Sequence, residues 1–145
     1  MILFSCEIEL TRNINCKMNK LIIDAARDKI FLMIISNDIN YSITHENSKI
    51  NYEKLSILIN DFLSKKKLTL DKVSQIYVNR GPGSFAGIRN SLSVVKAFHL
   101  THKIDYYCFS FEDFSEKNEV KYENIPKLCD KLKVEKNLIN PIYLS

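Results

Sequence analysis

The residues with the clearest chemical potential form one short run, Arg80-Gly81-Pro82-Gly83-Ser84-Phe85-Ala86-Gly87-Ile88-Arg89. All three glycines of the chain stand in it, and two of its four arginines, Arg80 and Arg89, flank them. Glycine supplies positive φ and close backbone approach, and Pro82 fixes φ between the first two. Ser84 is placed to cap a following helix, its hydroxyl accepting from a backbone N–H of the first turn. The run therefore predicts a tight strand-to-helix elbow. Such an elbow can hold an anion on exposed N–H groups, present a nucleophile, or set the angle of a helix that packs closely. The phosphate-loop pattern GxxxxGK[ST] is absent, and GxGxxG fails because position 86 is Ala. A nucleophile elbow around Ser84 needs glycines at 82 and 86, which are Pro82 and Ala86, and no His/Asp pair accompanies it. The structural reading is preferred, with the anion site kept as its rival.

Other chemistry is sparse. Cys6, Cys16, Cys108 and Cys129 are far apart and form no CxxC pair, and His45, His99 and His102 do not join them at a ligand spacing. No metal site is expected, and the cysteines read as reduced thiols of a cytoplasmic protein. His99 falls among apolar positions, where a satisfied core histidine is the expected state. Lys65-Lys66-Lys67 reads as a solvated helix end, since lysines complement the dipole of a last turn.

The elements that must position the elbow read β, β, β, α, β, α, β from Lys20 onward. Leu21-Ile22-Ile23, ending at Asp24, reads as a strand buried on both faces. Ile30 to Ile35 is a second apolar strand, and 38–44 alternates as a half-exposed third. Short links make these three antiparallel neighbours. From Asn51 to about Lys66, Tyr52, Leu55, Leu58, Ile59, Phe62 and Leu63 share one helical stripe, with Ile57 off it. Val73 to Asn79 is a fourth strand, the elbow opens a helix to about Thr101, and Ile104 to Phe109 is a fifth strand, parallel to the fourth by a right-handed crossover. The fold class expected is α/β and RNase-H-like, a mixed five-stranded sheet with flanking helices. Beyond Ser115 the signal fades, leaving a short helix over 127–132 opened by Pro126 and an extended 140–144. Residues 1–17 read as an N-terminal extension ahead of Met18, 18–114 as the main lobe and 115–145 as a remnant of a second lobe.

The helix after the elbow carries two adjoining arcs. Ile88, Leu92, Val95 and His99 form one, and Gly87, Ser91, Val94 and Phe98 form another that is small at its start. Together they are wider than the roughly 100° stripe a surface helix buries. The expectation is that the first arc meets the sheet, while the second, with Leu58 and Phe62 of the preceding helix, meets either that helix or another protein.

The gross numbers fit one soluble globular domain: 145 residues, 46% hydrophobic, 26% charged, formal net charge +4. The positive excess is spread over single lysines and does not by itself implicate nucleic acid. No apolar run reaches 18 residues, so no membrane helix is expected, and Glu7 and Glu9 spoil the first residues as a signal peptide.

The run from Arg80 to Arg89 resembles the GPGSFTG-[LV]-R signature of the TsaB (YeaZ) family, with Ala86 where Thr is usual. Leu21-Ile22-Ile23-Asp24 is similar to that family's first strand, Ile104 to Phe114 to its later strand and continuation, and Pro141-Ile142-Tyr143-Leu144 to a P-x-Y-L-R near its C-terminus. The resemblance implies the first lobe of an actin-like ATPase (ASKHA) fold. It implies a non-catalytic scaffold for threonylcarbamoyl transfer to the adenosine beside the anticodon of tRNA, pairing with a catalytic TsaD-type subunit through first-lobe helices. A TsaE-type ATPase joins them, so that ATP is handled by partner subunits, no cofactor belongs to this chain, and tRNA is met only through the complex. Homodimer and monomer both stay open for the chain without its partner.

Two departures bear on this. Ala25 and Ala26 stand where the family has Thr-Ser, stripping side-chain donors from the turn that handles phosphate in the wider superfamily, and the second lobe is short. Asp24 is a lone carboxylate at that vestigial turn, where Mg²⁺-dependent chemistry needs two or more. The rival reading is a nucleotide-binding protein or sensor using the elbow at Arg80 and Gly83-Ser84-Phe85.

Overall fold

The computed structural model describes residues 18–115 and 119–143. The extension 1–17, with Cys6 and Cys16, and Leu144 of the closing motif lie outside the described residues.

Five strands form one sheet: β1 (Asn19–Asp24), β2 (Lys29–Ser36), β3 (Ile39–Glu46), β4 (Val73–Asn79) and β5 (Asp105–Phe109), ordered β3-β2-β1-β4-β5. β1 pairs antiparallel with β2 and β2 with β3, while β1–β4 and β4–β5 are parallel. This is the mixed sheet expected. β2 turns into β3 over Asn37 and Asp38, both at positive φ (52° and 66°). Short polar side chains tolerate that geometry, and a two-residue turn of this hand matches the twist of the strands it joins.

Alternation along each strand splits the core in two. Leu21, Ile23, Leu32, Ile34, Ile76, Val78 and Tyr106 point to one face; Ile22, Met33, Tyr77 and Phe109 point to the other. The first face is covered by α1 (Lys49–Glu53), α2 (Leu55–Lys65) and α3 (Phe85–His102). The single helix expected from Asn51 is instead two pieces, because the backbone leaves helical geometry at Lys54 (φ −111°, ψ 30°). Ser48 caps α1 by accepting from the Asn51 N–H. The buried stripe is the one read from periodicity, Tyr52, Leu55, Ile59, Phe62 and Leu63, except that Leu58 is half-buried. The lysine run closes α2, and the Lys66 ammonium sits 4.2 Å from the ring centroid of Tyr41 on the outermost strand.

The second face is covered by the C-terminal segment. Phe114, Ile125 and Cys129 are buried against Ile22, Met33, Tyr77 and Phe109, with α4 (Ile125–Leu132) supplying the last two. Pro126 stands in its first turn, where a missing N–H costs nothing. A boundary at 114/115 thus falls inside one shared core, and the segment expected as a lobe remnant is the lid of the sheet's second face.

Candidate functional site: the elbow and its surroundings

The elbow is built on the parallel strand ends. β1 ends at Asp24 and β4 at Asn79, side by side at the centre of the sheet. Asp24 is fully buried. Its Oδ1 accepts from the Ala26 N–H (3.1 Å) and from Asn79 Nδ2 (3.0 Å). Its Oδ2 accepts from Arg27 Nε (3.3 Å) and from the Tyr122 hydroxyl (2.5 Å). Asn79 in turn accepts the Gly81 N–H on its own Oδ1 at 2.9 Å. A buried carboxylate must be matched by donors, and here four donors surround it.

The glycines answer to backbone contacts. A Cβ at Gly83 would overlap the Ala26 carbonyl oxygen, and one at Gly87 would overlap the Ala25 carbonyl oxygen and crowd Tyr52. The Ser84 N–H donates to Ala26 O at 2.8 Å, and Ser84 Oγ caps α3 by accepting from the Gly87 N–H at 3.0 Å. Gly81 adopts φ 111°, a region that L side chains rarely enter, and the Gly81–Pro82 peptide is cis. The N–H groups of Gly81, Ser84 and Gly87 are thereby engaged within the chain, as is Ile88 N–H to Ser84 O. Geometry of this kind serves helix placement, and it commits several of the donors that an anion would use.

Arg80 points away from the elbow. Its guanidinium donates to Asp113 Oδ1 at 2.8 Å and to the Asn140 carbonyl at 3.1 Å, while its own carbonyl accepts from the Ile142 N–H. It clamps the turn 111–113 and the segment 139–143 to the strand ends. Phe85 and Arg89 lie on the exposed side of α3, and Phe85 rests against Tyr143 with ring centroids 4.7 Å apart.

The expected contact face needs correction. Gly87, Ser91 and Phe98 of α3 and Phe62 of α2 are buried by the chain itself, and Leu58 and Val94 are half-buried. Tyr52 and the Ala25 carbonyl lie against Gly87, so the chain's own turn and helix fill the place reserved for another protein. The wide apolar sector of α3 is used between the sheet on one side and α1 and α2 on the other. Open on these helices are Ile57, Ala86, Ala97 and Leu100.

His99 Nδ1 lies 3.0 Å from the Ile104 carbonyl, and its ring meets Tyr106 edge-on. Burial pushes the Cys108 thiol up to about 11 and the Cys129 thiol up to about 12. Burial, and then the charge of Asp24, raise the Tyr122 hydroxyl above the usual phenol range. Among the described residues no three His, Cys, Asp or Glu gather where a metal could be held, and no helix is long and apolar enough to cross a membrane. Asn79, Asp113 and Tyr122 were missed by sequence reasoning. Asn79 had a usable signal, a polar residue closing an apolar strand just before the elbow, whereas nothing marked Tyr122.

A family model described as TsaD, tRNA N6-adenosine threonylcarbamoyltransferase, matches residues 41–110. Two proteins named tRNA threonylcarbamoyladenosine biosynthesis protein TsaB are similar, both from Buchnera aphidicola. That of subsp. Schizaphis graminum is 28% identical over 90 residues, covering 62% of this chain and 43% of the relative. That of subsp. Baizongia pistaciae is 32% identical over 68 residues, covering 41% and 31%. The matched stretch is thus less than half the length of either relative. Among solved structures, YeaZ from Pseudomonas aeruginosa superposes with a TM-score of 0.59 at 21% identity, over 63% of this chain and 43% of that one. The sheet is of the actin-like, RNase-H-like type that this neighbour and the TsaD-type match imply. The relatives and the structural neighbour agree in one respect: this chain is similar to TsaB (YeaZ) proteins over the part of them that it spans.

Proposed function

We propose that this chain is a non-catalytic subunit in the biosynthesis of threonylcarbamoyladenosine in tRNA, paired with a TsaD-type catalytic subunit. The observation that carries the non-catalytic reading is the closed state of the strand ends. Asp24 accepts four internal hydrogen bonds, and Ala25 and Ala26 are packed against the elbow glycines. A carboxylate so enclosed has no free edge for Mg²⁺ or a phosphate's metal. The role in tRNA modification rests on kinship with the TsaB proteins.

The contact surface is the outward side of α2 and α3. Ile57 is 56% exposed and Leu100 68% exposed, and Ala86 and Ala97 leave room for close helix approach. Co-expression with the TsaD homologue of the same organism tests the pairing by sedimentation. A stable complex at micromolar concentration is expected, with a TsaE-type ATPase able to join it. Ala97→Glu with Leu100→Glu should abolish that complex while leaving the melting temperature unchanged. Failure of the unmodified chain to pair refutes the reading; pairing that survives the double substitution moves the contact elsewhere. The nucleotide-sensor reading at Arg80 and Ser84 is not favoured, since both are committed to internal bonds.

A further inference from the structure

Arg89, Ser93 and Lys96 recur along α3 at spacings of four and three, which aligns them on one helix face. They form one wall of an open groove of about 350 Å³, whose other wall is Pro141 and Tyr143. No carboxylate lines it, and among the described residues neither Arg89 nor Lys96 joins an ion pair. Tyr143 of that wall rests against Phe85, the two 41% and 56% exposed, and the Arg89 guanidinium carbon stands 5.9 Å from the Phe85 ring centroid. That distance is at the outer limit of cation–π attraction. This surface is separate from the buried elbow and shares the outward face of α3 with the proposed helix contact.

Each part has a chemical correlate. Two cations and a hydroxyl with no competing acid suit phosphate oxygens. Exposed rings left in water beside them suit the π-face of a nucleobase, the pairing by which single-stranded nucleic acid is held. Seven residues of helix separate Arg89 and Lys96 by about 10 Å, a span that flexible side chains close onto one diphosphate or onto neighbouring phosphates. The volume lies near the lower end of small-ligand sites, large enough for one nucleotide.

We propose that this groove binds a nucleotide unit, with phosphate on Arg89, Ser93 and Lys96 and the base against Phe85 and Tyr143. The unit is either a free nucleoside polyphosphate or part of a single RNA strand. A partner seated on Ala97 and Leu100 would lie beside these cations, so the test uses the chain alone.

Binding is measured on the full chain at low salt with ATP, a ten-nucleotide single-stranded RNA, tripolyphosphate and a polyglutamate peptide. ATP or the RNA is expected to bind with a dissociation constant below about 1 mM. Arg89→Ala with Lys96→Ala should weaken binding at least tenfold, and Phe85→Leu about fivefold. Lys127→Ala with Lys131→Ala, an equal loss of charge on α4, should change it less than twofold. Preference for ATP assigns a free nucleotide. Preference for the RNA assigns a strand, and the double variant should then lower the slope of log K against log salt by about 1.4, two phosphates at 0.7 each. The proposal fails if neither ligand binds below 1 mM, if the Arg89/Lys96 variant binds as the unmodified chain does, or if tripolyphosphate or polyglutamate binds as tightly as ATP and RNA.

Discussion

The hydroxyl of Tyr122 donates to Oδ2 of Asp24 at 2.5 Å, joining residues 98 positions apart in sequence. Tyr122 also stacks on Phe31, ring centroids 3.9 Å apart, and accepts from Arg27 Nη2 at 2.8 Å. The C-terminal segment is thus tied to the centre of the sheet by a polar contact as well as by its apolar side chains.

Tyr122→Phe removes that donor and keeps the ring. A hydrogen bond to a charged group contributes roughly 1.5–3 kcal/mol, so a loss of about 2 kcal/mol is expected, read from the urea midpoint. Asp24→Asn puts an amide NH2, itself a donor, among four donors that now meet an acceptor-only carboxylate, and should cost more, about 3–5 kcal/mol. A Tyr122→Phe chain as stable as the original would show that this bond does not hold the segment.

Alkaline pH should weaken the fold. The buried thiols Cys108 and Cys129 stand at about 11 and about 12, above the roughly 8.5 of a free thiol. A group whose folded pKa is raised stabilises fully below its unfolded value, and that contribution is lost as pH rises toward the folded one. Stability is therefore expected to fall from about pH 8.5 upward, with Tyr122 adding to the loss above pH 10. Denaturation midpoints across pH 7–10 check this. In the same range Cys108 and Cys129 should resist iodoacetamide until the chain is unfolded; rapid labelling of either in the native state would contradict their burial.

Gly87→Ala should be among the most disruptive single substitutions. The added methyl meets the Ala25 carbonyl, a backbone atom that cannot rotate away. We expect at least about 3 kcal/mol of destabilisation from overpacking against rigid structure. Ala86→Thr, at an exposed neighbour on the same turn, should change stability by less than about 0.5 kcal/mol. Thermal melts of the two distinguish contact from mere helix propensity.

Arg80→Ala releases both Asp113 and the Asn140 carbonyl. Amide hydrogen exchange should then quicken at 139–143, the Ile142 N–H above all, while β1 and β2 keep their protection. Unchanged exchange at Ile142 would mean that its bond to the Arg80 carbonyl suffices alone.

Much of this was legible in the sequence because the signals were local. Apolar runs and short links marked the three antiparallel strands, and the β-α-β run marked the parallel pair β4–β5, though not that β4 lies beside β1; three glycines within seven residues announced the elbow. The buried stripe of α2 followed from 3.6-residue spacing. Breadth of an apolar sector, in contrast, does not say what covers it. Gly87 and Ser91 looked available for another protein, but the turn at Ala25–Ala26 and Tyr52 already lie there, a relationship set by pairing of elements more than thirty residues apart. The role of Arg80 was hidden likewise, since Asp113 and Asn140 approach it only once the sheet exists. Tyr122 sits in a polar stretch without periodicity, and only the fold shows it reaching Asp24.

The split core also orders events during synthesis. A nascent chain that has emerged only through Phe114 can complete all five strands and the helices of one side, yet its other side still presents Ile22, Met33, Tyr77 and Phe109 to water. Until Ile125 and Cys129 arrive, that half-finished molecule carries a bare greasy plane, the kind of surface that invites clumping or a chaperone. Proteolysis or premature termination in the 115–124 stretch should accordingly yield inclusion bodies, not a smaller working protein.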